Sequence, residues 1–316
     1  MVYIVFGVLK MPIQESKYIW MNGKYVPWKE AKIHVLTHSL HYGSGVFEGI
    51  RCYNTVKGPA IFRLEDHLKR LYKSAKTCFM DIPYSLEELS EATKKLVKLN
   101  ELKECYIRPI VYRGYGEMGL NPTGSPVEVV IATWTWGAYL GEESLKKGVK
   151  AKISSYTRIA SSALPSGVKI TGSYINSVFA KMEALQSGYD EAIMLDSRGF
   201  VAEGPGENIF IVKDSILYTP SEHAEILLGI TRDSIIKIAE DFEIKVKEVD
   251  ISKEMLYEAD EAFFTGTAVE VVPICEIDGK KIGDGKPGVV TLKLQKEYLD
   301  ITRGKKSEYQ NWLTYV

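Results

Sequence analysis

Two short aromatic and β-branched runs, Tyr18-Ile19-Trp20-Met21 and Lys24-Tyr25-Val26, flank Asn22-Gly23 near the start of a 316-residue chain. Asn-Gly between such runs is the strongest short-range hairpin signal, because both turn positions need a positive φ. The chain is thereby committed to antiparallel β structure early on. Helical signals follow. Leu64, Leu68, Leu71, Ala75 and Cys78 recur at helical spacing, which predicts a helix over 63–79. Ser85, with Glu88 three residues on, is a capping box that opens a helix to about Leu99. Strands are expected at 105–113 and 127–133, the first with Tyr106, Arg108, Ile110 and Tyr112 on one face.

Segment 134–148 is punctuated by glycines, sustains no period and reads as a connection between domains. Beyond it, strands are expected near 149–155, 191–196, 208–213, 216–219, 244–249 and 261–265. Between them fall helices from Gly172 to Gly188, Arg232 to Glu240 and 252–258; a hairpin turns at Asp278-Gly279, and a last helix runs from Gly288 to Leu299. Hairpins mixed with helices fit two α+β halves with mixed or antiparallel sheets better than one parallel sheet. The expected division is a smaller N-terminal domain at 1–133, with 1–10 as an extension, and a larger C-terminal domain at 149–316.

Several function classes drop out. Forty basic and forty-one acidic side chains leave a formal charge of −1, without the basic excess of a nucleic-acid binder. The longest uncharged apolar-rich run, Val129 to Gly141, is too short for a membrane span of about 20 residues. Met1 to Leu9 lacks the basic start and cleavage site of a signal peptide. Cys52, Cys78, Cys105 and Cys275 have neither metal-ligand nor redox spacing, so they read as reduced core residues of a cytoplasmic protein. His34, His38 and His41 lack the glutamate and cysteine partners of a zinc motif, and no metal is expected. Gly114 to Gly119 matches G-x-G-x-x-G after a strand. Leu120-Asn121-Pro122 then follows where a nicotinamide-binding fold needs a helix, so the segment reads as a loop.

Four other segments suit chemistry. Gly229-Ile230-Thr231-Arg232-Asp233 opens a helix, which is either an anion site or a plain N-cap. Thr265-Gly266-Thr267-Ala268 ends a strand in a turn of amides and a hydroxyl. Glu203-Gly204-Pro205-Gly206-Glu207-Asn208 bends between two strands and either presents carboxylates or is a solvated turn. Lys169 sits among small residues just ahead of a helix, where an amine reaches into a cleft.

Together these residues resemble the class IV, fold-type IV pyridoxal-phosphate aminotransferases, and among them the branched-chain amino-acid aminotransferases, from about Tyr18 to about Leu299. The signature starts at Glu203 and Asn208-Ile209-Phe210, passes through Tyr218-Thr219 and closes at Leu227-Leu228-Gly229-Ile230-Thr231-Arg232. The branched-chain subgroup adds His41-Tyr42-Gly43, Val46 to Arg51, Tyr106-Ile107-Arg108-Pro109, Met118 to Pro122 and Trp136 to Gly141. Pro205 stands where the family usually has a small residue such as Ala, and Thr135 where the linker usually has Pro.

The resemblance implies a two-domain fold like that of D-amino-acid aminotransferase and a pyridoxal 5'-phosphate cofactor. It implies a Schiff base on Lys169, which then serves as the catalytic acid–base. Tyr174 would meet the phenolate oxygen and Glu203 the pyridine nitrogen. Arg70, Ile230, Thr231 and Thr267 would hold the phosphate, with Asn208 and Gly266 also in the cofactor set. Arg70 lies opposite the apolar stripe of its helix, so this role requires both helix faces to be covered. For the substrate, Thr267 and Ala268 would take the α-carboxylate with Tyr106 and Arg108 nearby. Phe47, Gly49, Tyr42, Tyr139, Trp136 and Leu120 would line the apolar pocket. Arg51 or Arg108 would meet the distal carboxylate of glutamate. Tyr42 and the Leu120 loop would reach a neighbouring subunit, giving at least a homodimer. The implied reaction moves the amino group of leucine, isoleucine or valine to 2-oxoglutarate. A D-amino-acid transaminase or an aminodeoxychorismate lyase shares Lys169 and Glu203 but differs in the first-domain motifs. A non-catalytic vitamin-binding protein has no need of both residues.

Overall fold

The computed structural model describes residues 3–5, 8–10, 13–137 and 139–316. The chain divides into two compact units, Met1–Gly137 with Thr302–Val316, and Ala138–Ile301.

In the first unit the expected hairpin pairs Met21 with Lys24, and Asn22 and Gly23 take φ of 47° and 84°. The sheet runs in the order Leu313–Tyr315, Gly58–Phe62, Ile50–Thr55, Cys105–Arg113, Val127–Trp134, Tyr18–Met21 and Lys24–Pro27, with Gly45–Phe47 also on Cys105–Arg113. Helices Leu64–Thr77 and Leu86–Leu99 pack with it. Both arms of the capping box form: Glu88 N–H donates to Ser85 Oγ at 3.1 Å, and Ser85 N–H to Glu88 Oε2 at 2.6 Å. Helix Leu64–Thr77 buries Leu64, Leu68, Leu71 and Ala75 as its spacing requires, and also His67 and Ser74. That second buried strip flanks Arg70 and gives it the cover its expected role demands.

The sequence reading places 302–316 in the second domain, whereas these residues return to the first unit. Leu313–Tyr315 pairs antiparallel with Gly58–Phe62, and Arg63 N–H donates to the Trp312 carbonyl at 2.7 Å. A three-residue closing strand is too short to announce itself by periodicity. The expected connection also carries structure: Val127–Trp134 ends inside it, and helix Glu142–Lys147 belongs to the second unit. Tyr3–Val5 pairs with Val8–Lys10 in a two-stranded sheet of its own; the rest of the expected extension lies outside the described residues.

In the second unit a nine-stranded sheet closes on itself. Val201–Glu203, Glu191–Leu195, Val149–Ile153, Glu270–Ile277, Glu261–Gly266 and Asn208–Lys213 pair in that order, and Glu203 pairs with Asn208 to complete the ring. Val149–Ile153 and Glu191–Leu195 are parallel, with helix Tyr174–Gln186 between them in the chain, as a parallel crossover requires. Val149, Ile193, Ile209, Phe264 and Val272 belong to one buried cluster. Burying these strands on both faces leaves the ring rim as the place for polar groups. The Glu203–Asn208 turn and the Gly266–Glu270 turn are at strand ends. Cys52, Cys105 and Cys275 are buried, Cys78 is half-buried, and all four are free thiols. No helix among the described residues is long and apolar enough to cross a membrane.

Candidate active site

The second unit brings Lys169 and Tyr174 together. Lys169 Nζ donates to Tyr174 Oη at 2.6 Å, and Tyr174 is the first residue of helix Tyr174–Gln186.

Glu203 is buried, with several partners. Asn208 Nδ2 donates to its Oε2 at 2.9 Å, the Leu227 amide reaches both oxygens at 3.2 Å, and Arg158 Nε stands 3.1 Å from Oε1. Burial pushes its pKa up, against the pull of Arg158, the Leu227 amide and Lys169. Asn208 also donates to the Leu227 carbonyl at 2.8 Å. A β-carbon on Gly229 would collide with Asn208 Oδ1. One asparagine thus ties the carboxylate to the chain entering helix Ile230–Asp241, and only glycine fits beside it. Gly229 is the N-cap and supplies no side-chain cap to that helix. Thr231 in its first turn is buried. Gly266, Thr267 and Ala268 are half-buried on the turn after strand Glu261–Gly266. Tyr139 is 39% exposed, with Lys181 Nζ 5.5 Å from its ring centre.

The first unit gathers most of the expected substrate residues. The Arg108 guanidinium stands 4.8 Å from the Phe47 ring, 5.4 Å from Tyr106 and 5.8 Å from Trp134. Trp136 meets Tyr106 edge-on at 4.5 Å. A β-carbon on Gly49 would overlap the Tyr106 hydroxyl. Arg51 pairs with Tyr106 across the sheet and donates to the Gly137 carbonyl at 3.1 Å. Arg70 makes a two-pronged bond to Glu48, Nε to Oε1 at 2.6 Å and Nη2 to Oε2 at 2.8 Å, and His67 Nδ1 lies 2.8 Å from Oε2. Burial alone would raise the Glu48 pKa; the charge and hydrogen bonds of Arg70, with His67, hold it well below the usual carboxylate range. Tyr42 and Leu120 stand apart from this cluster, 44% and 89% exposed. His34 bonds the Leu36 amide and His41 the Val35 carbonyl, while His38 joins Ser44 to the distant Gly119 carbonyl. Among the described residues no group of three or more His, Cys, Asp or Glu side chains suits a metal ion.

Sequence reasoning missed Arg158, and it named Glu48 and Thr265 within motifs without giving either a role of its own. Arg158 is an isolated cation in a loop, and no spacing marks it. Glu48 sits inside a quoted motif, but only its buried contact with Arg70 reveals its part. Thr265 lies opposite Asn208 in the ladder, and its buried hydroxyl has no hydrogen-bond partner.

The family model for amino-transferase class IV matches residues 45–277. The chain belongs to the class IV aminotransferase family. A branched-chain-amino-acid aminotransferase of Pseudomonas aeruginosa is 52% identical over 298 residues, covering 94% of this chain and 97% of that protein. The crystal structure of the Escherichia coli branched-chain amino acid aminotransferase matches with a TM-score of 0.93 and 44% identity, over 95% of this chain and 99% of that one. The branched-chain amino acid aminotransferase from Thermobaculum terrenum, in its PLP-form, gives a TM-score of 0.89 and 36% identity, over 95% of this chain and 98% of that one. In this class IV aminotransferase several signature residues act on the scaffold. Arg232 Nη2 donates to the Pro220 carbonyl at 2.9 Å and to Glu248 at 2.6 Å, fixing the helix start to two strand ends. Thr219 Oγ1 donates to the Ile209 carbonyl at 2.9 Å inside the sheet.

Proposed function

We propose that this chain is a pyridoxal 5'-phosphate-dependent transaminase that moves the amino group of leucine, isoleucine or valine to 2-oxoglutarate, giving glutamate and the branched 2-oxo acid. The observation that carries the reading is the Lys169–Tyr174 contact at 2.6 Å on the unit that also holds the buried Glu203 carboxylate. The donor set fits a phosphorylated pyridine aldehyde. It has an amine for the aldehyde, a phenol beside that amine and a buried carboxylate for a ring nitrogen. It also has a glycine-capped helix start for the phosphate, and the orphaned Thr265 hydroxyl leaves a polar group to satisfy. When bound, the cofactor supplies an electron sink for a carbanion at the substrate α-carbon.

The chain's own residues do the rest. Lys169 Nζ would carry the α-proton, a task that suits an amine held in place by a hydrogen bond. Tyr174 Oη orients that nitrogen. Glu203, with Asn208 and Arg158 at its oxygens, would meet the ring nitrogen. In the second unit Ile230, Thr231, Gly266 and Thr267 would hold the phosphate; in the first unit Arg70, braced by Glu48, is available for an anion. Thr267 and Ala268 receive the α-carboxylate, with Tyr106 and Arg108 assisting. Phe47, Gly49, Trp136, Tyr139, Tyr42 and Leu120 receive the aliphatic side chain. Arg51 or Arg108 meets the distal carboxylate of glutamate. The exposure of Tyr42 and Leu120 supports their sharing with a second subunit, hence at least a homodimer. Four free thiols support a cytoplasmic setting.

The test is turnover. The purified protein with the cofactor should form glutamate and 4-methyl-2-oxopentanoate from L-leucine and 2-oxoglutarate. Activity confined to D-amino acids, or release of pyruvate from aminodeoxychorismate, would overturn the reading in favour of its relatives.

A further inference from the structure

Glu207 has no role in the site described above, yet it is 5% exposed and sits among charges. Its neighbour Glu191 is fully buried and already supplied with donors. Lys181 Nζ donates to Glu191 Oε2 at 2.6 Å, and the Ala192 amide to Oε1 at 3.0 Å. Lys181 also holds the Asp190 carbonyl at 2.7 Å. Glu207 Oε2 accepts from the Gly206 amide at 3.0 Å, while its buried Oε1 has no donor. Two buried carboxyl groups therefore face one ammonium, and the unmatched oxygen is on Glu207. An acceptor lacking a donor there is costly, whereas a protonated oxygen becomes a donor itself. Burial and the Glu191 charge push the Glu207 pKa well up, with Lys181 pulling the other way.

The same side chain touches both turns of the site. A β-carbon on Gly204 would come within 2.8 Å of Glu207 Oε1, and one on Gly266 would stand 3.4 Å from Glu207 Cβ. The Gly204 amide donates to the Glu207 carbonyl at 2.7 Å, closing the turn between Glu203 and Asn208. We propose that Glu207 is a proton-holding positioning residue of the transamination: as a neutral acid it donates to Glu191 and so pins the 203–208 turn to strand Glu191–Leu195, with its own Cβ packed beside Gly266. This rests on the proposed function, which places Glu203, Thr267 and Ala268 at cofactor and substrate.

The charged groups facing Glu207 are Glu191, from strand Glu191–Leu195, and Lys181, from helix Tyr174–Gln186. In the unfolded chain Glu207 ionises in the ordinary carboxylate range, so the folded chain holds this proton over a span of pH above that range. Its contribution to stability is lost as pH rises from that range to its raised folded value.

The experiment compares wild type, Glu207→Gln and Glu207→Ala as holoenzymes. Glu207→Ala should raise the KM for leucine about tenfold or more, with a smaller change in kcat. Glu207→Gln, of the same shape and with a donor, should recover most of that loss. Its melting temperature should exceed the wild-type value by a margin that widens as pH rises. A Gln variant as impaired as Ala, or a margin that shrinks with pH, would overturn the proposal by showing that a carboxylate is required. The melting comparison needs no turnover, so it separates failure here from failure of the substrate reading. Should Glu207→Ala not fold, infrared difference spectra of wild type and Glu207→Gln decide. The carbonyl stretch of a protonated acid must be present in the first and missing from the second; its absence from wild type overturns the proposal.

Discussion

Glu48 in the first unit and Glu207 in the second are both buried glutamates, and their surroundings drive them in opposite directions. Glu48 receives two bonds from Arg70 and one contact from His67, so every oxygen is matched and the charge is balanced. Glu207 faces Glu191, and Lys181, whose charge pulls the other way, is already bonded to Glu191. Burial penalises the charge on both. The sign of the result is set by counting donors and cations around each group, and depth alone would have predicted the same behaviour twice. The difference also divides the labour. The first unit uses its ionised carboxylate to aim a cation, and the second uses a neutral one to pin a turn to a strand.

The largest effect should come from breaking the matched pair. Glu48→Gln leaves Arg70 beside a neutral amide in a mostly buried setting, and removing one partner of such a pair costs about 3–5 kcal/mol. Chemical denaturation should show that loss; a cost under about 1 kcal/mol would mean that Arg70 has other support. Glu207→Gln, the same substitution in the other region, should stabilise. The pH dependence sharpens the contrast. Glu48 has a lowered pKa, so its contribution is complete above the ordinary carboxylate range and disappears as pH falls below it. Glu207 has a raised pKa, so its contribution falls as pH climbs. Melting curves should decline on both sides, with the acid limb flattened in Glu48→Gln and the alkaline limb in Glu207→Gln.

Arg108 extends the comparison to a cation that faces rings instead of a carboxylate, with a buried Nε that has no partner. If the distal carboxylate of glutamate completes it, Arg108→Ala should raise the barrier for glutamate by about 1.5–3 kcal/mol, roughly 10- to 150-fold in kcat/KM, and far less for leucine. Equal losses for both donors would assign Arg108 to the shared α-carboxylate, leaving the distal carboxylate to Arg51. The smallest effect is expected at the N-terminus. A chain starting at Met11 should keep its activity and its stability to within about 0.5 kcal/mol, since among the described residues Tyr3–Val5 and Val8–Lys10 pair only with each other.

Local signals in the sequence carried further than long-range ones. The Asn22-Gly23 turn, the Ser85 capping box and strand Cys105–Arg113 follow from neighbours a few residues apart. Strand Ile50–Thr55 escaped because all but Asn54 of its residues are buried, which erases the alternation that marks a half-exposed strand. The return of Leu313–Tyr315 and the ring closure at Glu203–Asn208 depend on partners that no local pattern specifies. Site legibility divides in the same way. Gly229 and Gly49 are readable as glycines, but only the side chains of Asn208 and Tyr106 explain them. Glu207 was legible as a turn carboxylate, with a solvated turn as the plain alternative; its burial against Glu191 depends on a strand that precedes it in the chain and carries no mark of that contact.

The assignment of Lys169 as the amine that carries the cofactor and moves the proton can be tested directly. Borohydride reduction of the holoenzyme, followed by digestion and mass spectrometry, should place the phosphopyridoxyl mass on Lys169. Lys169→Ala should carry no such mass and lose turnover by several orders of magnitude, because anchor and proton carrier vanish together. The mass on any other lysine, or an active Lys169→Ala variant, would contradict the account.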